Sequence, residues 1–301
     1  MMKFVILDTE TTGAQEQDRI CQLAFIVAEP QLVGTVVREI HEDLCKPPLP
    51  ISYGAMAVHH ITNEQVQERP ICIETESWRR LQELNSPQNY LVIQNAEFDM
   101  AMLEKEGFVS NMVLIDTLRC LRHLYPDLES HGLQYVRYAF GLYKSETKEA
   151  KSAGVKIRAH DALGDVLVLK LLLDHLLAEH SADELAELTK KPITYKTFKF
   201  GKYKDEDIVE VAKKDPGYLE WMLTEKEGGE GLDEDWRQTL ENALEIAEEE
   251  AVWLFPFGKY KGQSIEEIAS HDIGYLRWSL ENMDRLSAGM RRAISRVLGD
   301  L

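Results

Sequence analysis

The sequence predicts an α/β fold, a sheet covered by helices, followed by two small and mostly helical modules. Three observations carry this. Short apolar β-rich runs alternate with helix-period segments over the first 180 residues. A 24-residue pattern then occurs twice at a fixed offset of 57, with 14 of 24 positions identical. Between these regions, 181–195 (SADELAELTKKPITY) reads as a short capped helix and a linker at Pro192. The expected boundaries are 1–180, a linker over 181–195, a first module at 196–250 and a second at 251–301.

In chain order, Lys3 to Asp8 is a strand ending in the turn-rich TTG. Ile20 to Val27 and Thr35 to Leu44 are further strands, parted by Pro30 and Gly34. Ile73 to Leu84 has helical spacing, with Trp78, Leu81 and Leu84 on one side. Tyr90 to Ile93 is β-rich and is followed by a helix over Phe98 to Lys105. Met112 to Ile115 is a strand, and Thr117 to Leu124 a helix ended by Pro126. Val166 to Leu177, interrupted by Lys170, Asp174 and His175, reads as a buried amphipathic helix. Each repeat, FGKYKDEDIVEVAKKDPGYLEWML at 200–223 and FGKYKGQSIEEIASHDIGYLRWSL at 257–280, reads as a strand or turn, a helix and a second short helix. A similar helical stretch follows each copy, at Leu232 to Leu244 and Leu286 to Leu298.

Composition sets limits. With 301 residues, 44% hydrophobic and 29% charged, the chain is an ordinary globular sequence long enough for a core without disulfides or a structural metal. No apolar run approaches the ~20 residues of a spanning helix, so no membrane partner is expected. The N-terminal MMKFVILDTE does not resemble a signal peptide, and Cys21, Cys45, Cys72 and Cys120 form no CxxC pair; both point to a cytoplasmic protein with reduced thiols. The net charge of −18 argues against a polyanionic partner when taken alone. Half of it lies in 224–251, where eleven acids face Lys226 and Arg237, a segment able to serve a protein partner.

Three groups of residues bear chemistry. Asp8 and Glu10 in ILDTETTG stand at i and i+2 of a strand and therefore share a face. Two such carboxylates repel unless a cation lies between them, which makes them hard oxygen ligands for a divalent ion. Asp99 in QNAEFDMAML lies near a helix start, where the dipole favours a carboxylate; Glu97 competes with it as a ligand. In RAHDALGDVLVL, Asp161 and Asp165 share a helix face behind His160, and spacing does not choose between them. Taken singly, each group reads better as polar turns and helix caps.

DxE, NAxFD and HxAxxD in this order resemble the DEDDh group of 3′–5′ exonucleases over roughly residues 1–178, with supporting matches in AVHHIT at 57–62, IDT at 115–117 and HGLQYVRYAFGL at 131–142. The order of nuclease domain, linker and FGKYK…DPGYLxW is similar to the exodeoxyribonuclease X branch, which carries one such module where this chain has two. The resemblance implies a ribonuclease H-like domain with a mixed sheet. It implies Asp8, Glu10, Asp99 and Asp165 as metal ligands and His160 as general base. Gln94, where many members have His, is not a ligand position.

The implied reaction is hydrolysis of DNA from the 3′ end to nucleoside 5′-monophosphates, in repair or processing. Two ions ~4 Å apart would hold the attacking and leaving oxygens. The all-oxygen ligand set favours Mg²⁺ or Mn²⁺ over Zn²⁺. An imidazole suits proton removal near neutrality, the task given to His160. Candidate substrate contacts are Thr11, Asn95 and His60, then Lys156 and Arg158 in the basic loop 143–158, and Lys202 and Lys259 beside the module tyrosines. Trp221 and Trp278 read as module core, and Asp215 and Asp272 as helix caps. Two alternatives stand: an exoribonuclease, since no residue marks a 2′-OH contact, and a non-catalytic adaptor, which predicts the loss of a catalytic position that is not seen.

Overall fold

The computed structural model describes residues 2–154, 162–225, 232–283 and 285–299, which form two compact units, Met1–Lys191 and Pro192–Leu301. The first unit is built on β1 (Phe4–Thr11), β2 (Ile20–Pro30), β3 (Thr35–Leu44), β4 (Tyr90–Ile93) and β5 (Val113–Asp116), in spatial order β3-β2-β1-β4-β5. β1, β2 and β3 pair antiparallel, whereas β4 lies parallel to both β1 and β5, so the sheet is mixed. Its helices are α1 (Tyr53–His59), α2 (Asn63–Val66), α3 (Glu76–Leu84), α4 (Ala96–Lys105), α5 (Thr117–Leu124), α6 (Leu133–Ala139), α7 (Tyr143–Ala153), α8 (Ala162–Leu177) and α9 (Ala182–Lys190).

Alternation along β1 divides the core between two layers. Phe4 and Ile6 face one way, with Ala24, Ile26 and Val92, and pack against α8. Val5 and Leu7 face the other way, with Phe25, Leu91 and Ile93, and meet Trp78, Leu81 and Met102. β1 extends to Thr11, so the Asp8–Glu10 pair lies inside the strand and not beyond its end. All four cysteines are free and buried.

Two readings of the first unit change. The stretch 143–158 is not a loop throughout: Tyr143–Ala153 forms α7, closed by Gly154 in the left-handed conformation. Its Lys and Glu residues are good helix formers, and Glu146 is buried against Arg137. α8 is not amphipathic over its centre, because Val166 to Leu173 is buried at every position. Lys170 is tolerated there because Glu149 and Asp174 neutralise it at 2.6 and 2.9 Å.

In the second unit the first repeat forms α10 (Ile208–Lys214) and α11 (Pro216–Glu225), followed by α12 (Glu234–Glu250). The second repeat runs as α13 (Ile265–Asn282), followed by α14 (Ala288–Leu298). The same break punctuates both copies: Asp215 has φ −145°, ψ 66°, and Asp272, inside α13, has φ −147°, ψ 61°. Trp221 and Trp278 are each 50% exposed and so do not form the module core. In the first module that place belongs to Trp236, stacked on Tyr195 and Phe198.

Candidate active site

β1 sets the first two carboxylates. Asp8 pairs across the sheet with Ala24 and Glu10 with Gln22, so both point to the α8 side. Asp165, in the first turn of α8, approaches the same spot, and one carboxylate oxygen from each of Asp8, Glu10 and Asp165 lies within 4.8 Å of the others. The orientation of Asp165 is held by Gln134 of α6, whose Nε2 donates to Oδ1 at 2.6 Å. Gln134 in turn accepts from Arg137 at 2.9 Å, and Arg137 forks onto Glu146 of α7.

Asp99 reaches the site differently. It is buried on α4, and its Oδ1 accepts from both the backbone N–H and the hydroxyl of Thr9, at 2.9 and 2.7 Å. Asp99 is therefore tied to the strand between Asp8 and Glu10 and stands beside their cluster, outside the 4.8 Å set. Its rival Glu97 is exposed on the first turn of α4. Asn95 sets the entry of that helix with φ 64°, a left-handed conformation that Asn tolerates. Asp116 fixes it by accepting from the N–H groups of Asn95 and Ala96 at 3.1 and 3.0 Å, while also capping α5. Gln94 is spent on the His131 carbonyl and the Thr117 hydroxyl.

The electrostatics follow from crowding. Burial raises the Asp8 carboxyl well above its ordinary range, and the neighbouring charges of Asp99, Glu10 and Asp165 add to it in that order. Asp99 is pushed up to about 7 by burial, which outweighs the hydrogen bonds from Thr9. Carboxylates raised by burial and mutual repulsion have a divalent cation as their physical complement. The nearby thiol of Cys21 is pushed up to about 12, by burial first and Glu10 second, so it stays protonated and the donor set is all oxygen.

Of the candidate substrate contacts, Thr11 is buried and its hydroxyl donates to the Gly13 carbonyl at 2.7 Å. His59, buried, donates from Nε2 to the Thr11 carbonyl at 3.1 Å and accepts on Nδ1 from the Ile61 N–H at 3.0 Å. These partners define a neutral tautomer, and burial lowers its pKa accordingly. Asn95 and His60 are exposed. Lys202 and Lys259 are exposed too, and each is engaged: Lys202 with Asp215 at 3.1 Å and Lys259 with Asp272 at 3.0 Å, each ammonium 4.6 Å from the ring of the following tyrosine. Lys156, Arg158, His160 and Asp161 lie outside the described residues. Sequence reasoning gave no role to Thr9, Gln134 or Asp116, although Asp116 and Gln134 lie in the matched segments IDT and HGLQYVRYAFGL.

The exonuclease family profile matches residues 5–173, and that of the exodeoxyribonuclease X-like C-terminal family matches twice, at 198–227 and 255–284. Exodeoxyribonuclease 10 of Escherichia coli (strain K12) is 30% identical over 247 residues, 80% of this chain and 98% of that protein. The PolC-type DNA polymerase III of Streptococcus suis is 27% identical over 207 residues, 67% of this chain and 13% of that protein. Among solved structures, exonuclease X in complex with 5′ overhanging duplex DNA aligns at a TM-score of 0.43 and 22% identity, over 63% of this chain and 99% of that one.

Proposed function

The chain belongs to the exonuclease family, and from that premise we propose that it removes nucleotides from the 3′ end of DNA, with residues 1–180 performing the hydrolysis and the modules at 196–250 and 251–301 holding substrate. The observation that carries this is the convergence of Asp8, Glu10 and Asp165 within 4.8 Å, with Asp99 tied to the strand between the first two. DNA is favoured over RNA because the relative spanning most of the chain is an exodeoxyribonuclease.

Asp8, Glu10 and Asp165 are the residues to hold divalent ions, with Asp99 completing the acidic set beside Asp8. Oxygen donors without a thiolate favour Mg²⁺ or Mn²⁺, bound as two ions. Ions of this kind supply charge to offset that which develops on the scissile phosphate. The chain's own residues do the rest. Gln134 holds the Asp165 carboxylate in position, and Asp116 holds the turn that carries Asn95 toward the helix bearing Asp99. His160 is assigned the proton of the attacking water, and Lys156 and Arg158 the phosphates of the strand.

The test is digestion of end-labelled single-stranded DNA, duplex DNA and RNA in parallel, with and without Mg²⁺. DNA blocked at its 3′ end should resist, and 5′-blocked DNA should be degraded to mononucleotides. Asp8→Ala should remove most hydrolysis while the protein stays folded; full activity in that variant defeats the assignment.

A further inference from the structure

The two diverged repeats allow an internal comparison at exposed positions, where packing does not dictate the residue. Charge has been exchanged at three of them: Lys213 corresponds to Ser270, Lys214 to His271 and Glu220 to Arg277. Trp221 and Trp278 are retained against that drift, each with half of its surface exposed. Lys204 and Lys261 are retained as well, exposed and without an ion pair among the described residues.

The retained residues are contiguous within each copy. Trp221 leans on Tyr218 with ring centroids 5.9 Å apart at 31°, and Trp278 on Tyr275 at 5.9 Å and 36°. The Tyr218 hydroxyl accepts from the Lys202 N–H at 3.3 Å, joining this aromatic pair to the lysine turn. The turn is kept close by Gly201 and Gly258, at φ 79° and 80°, where an added Cβ would fall 2.5 Å from the Tyr218 hydroxyl and 2.9 Å from that of Tyr275. The ammonium of Lys202 stays fixed over Tyr203 by Asp215, and Lys259 over Tyr260 by Asp272.

Charge decides the occupant. Residues 196–204 (KTFKFGKYK) hold four lysines and no acid, and 253–261 (WLFPFGKYK) two lysines and no acid, in a chain of net charge −18. An unpaired base needs an open ring face, and its phosphates need a lysine rim beside that face. We propose that Trp221 and Trp278 are the base-stacking residues of two equivalent single-strand binding sites, one per repeat, with Lys202, Lys204, Lys259 and Lys261 meeting the backbone phosphates. The inference rests on the nucleic-acid reading of the nuclease unit. Two tethered sites raise the local concentration of the strand being degraded.

The experiment uses the full chain in EDTA, so that nothing is hydrolysed, and a 5′-fluorescein oligothymidylate followed by anisotropy. Trp221→Ala and Trp278→Ala should each weaken binding about fivefold or more, and the pair about thirtyfold, the loss expected for stacked bases. Tyrosine at both positions should restore most of the affinity. A second readout needs no variant: an oligonucleotide carrying 5-iodouracil should cross-link to Trp221 and Trp278 on irradiation. Unchanged affinity in the double alanine variant, or no adduct at either tryptophan, overturns the inference and leaves the nuclease reading standing. An unsubstituted chain that binds no oligonucleotide also overturns the inference, while the nuclease reading stands or falls on the digestion with Mg²⁺.

Discussion

Thr9 gives both its backbone N–H and its hydroxyl to a single oxygen of Asp99, across 90 positions of sequence. The residue between the two strand carboxylates is thus the one that locks the third acidic element in place. Its side chain faces the α4 layer while Asp8 and Glu10 face α8, so one strand presents acids to one side and orients an acid from the other.

Thr9→Val keeps the shape and removes one of the two donors. Asp99 should then be freer to rotate and its carboxyl should rise further, since the Thr9 hydrogen bonds lower it. Divalent-ion affinity should fall by about 10- to 100-fold, as for other residues that support a ligand. Calorimetric titration with Mn²⁺ checks this, and an unchanged affinity would remove Asp99 from the ion site.

The elevated site carboxyls fix the sign of a pH effect. Asp99 has its folded pKa raised from 3.8 to about 7, so its contribution to stability is fully present below about pH 4 and lost as pH rises through 7. A divalent ion replaces the proton. The rise in melting temperature produced by Mg²⁺ should be small at pH 5, grow through pH 7 and then level off, with proton release on binding between pH 5 and 7. A Mg²⁺ effect independent of pH would contradict the raised carboxyls.

His160→Ala should lower kcat by about 10²- to 10⁴-fold, the usual range for a positioned acid–base group, and leave metal binding mostly intact. Loss of metal binding in calorimetry would make His160 a ligand.

Away from the site, Glu39 is held down at about 2, first by its hydrogen bonds from Arg80. Its stabilisation is present above the ordinary 4.5 and lost as pH falls toward 2. Glu39→Gln should cost about 1 kcal/mol at pH 7, because solvent screens this partly exposed pair, and nothing near pH 2. Urea unfolding at both pH values tests it.

Gly201→Ala combines two penalties, a left-handed φ and a Cβ 2.5 Å from the Tyr218 hydroxyl, whereas Gly262→Ala, at φ 84° with nothing within 4 Å, has the first alone. The Gly262 variant should lose about 1–2 kcal/mol. The Gly201 variant should lose more and lower the melting of the Pro192–Leu301 unit in calorimetry. Equal losses would show that Tyr218 gives way freely.

Much of this protein was legible in its residues. The i, i+2 spacing of Asp8 and Glu10 determined a shared face, because strand geometry is local. The repeat determined two equivalent modules, and the order of DxE, NAxFD and HxAxxD pointed to the chemistry. Tertiary structure decided what local patterns do not encode. Asp165 joins Asp8 and Glu10 because α8 packs across the sheet, and Asp99 is oriented by Thr9 because α4 packs on the opposite layer. Trp221 and Trp278 looked like core by residue type, yet their helices turn those rings to water while Trp236 fills the first module. The lysine-rich 143–153 looked like a loop until Arg137 buried Glu146 and made a helix face of it. A periodic pattern specifies which residues share a face, but which faces are covered depends on contacts between segments far apart in the chain.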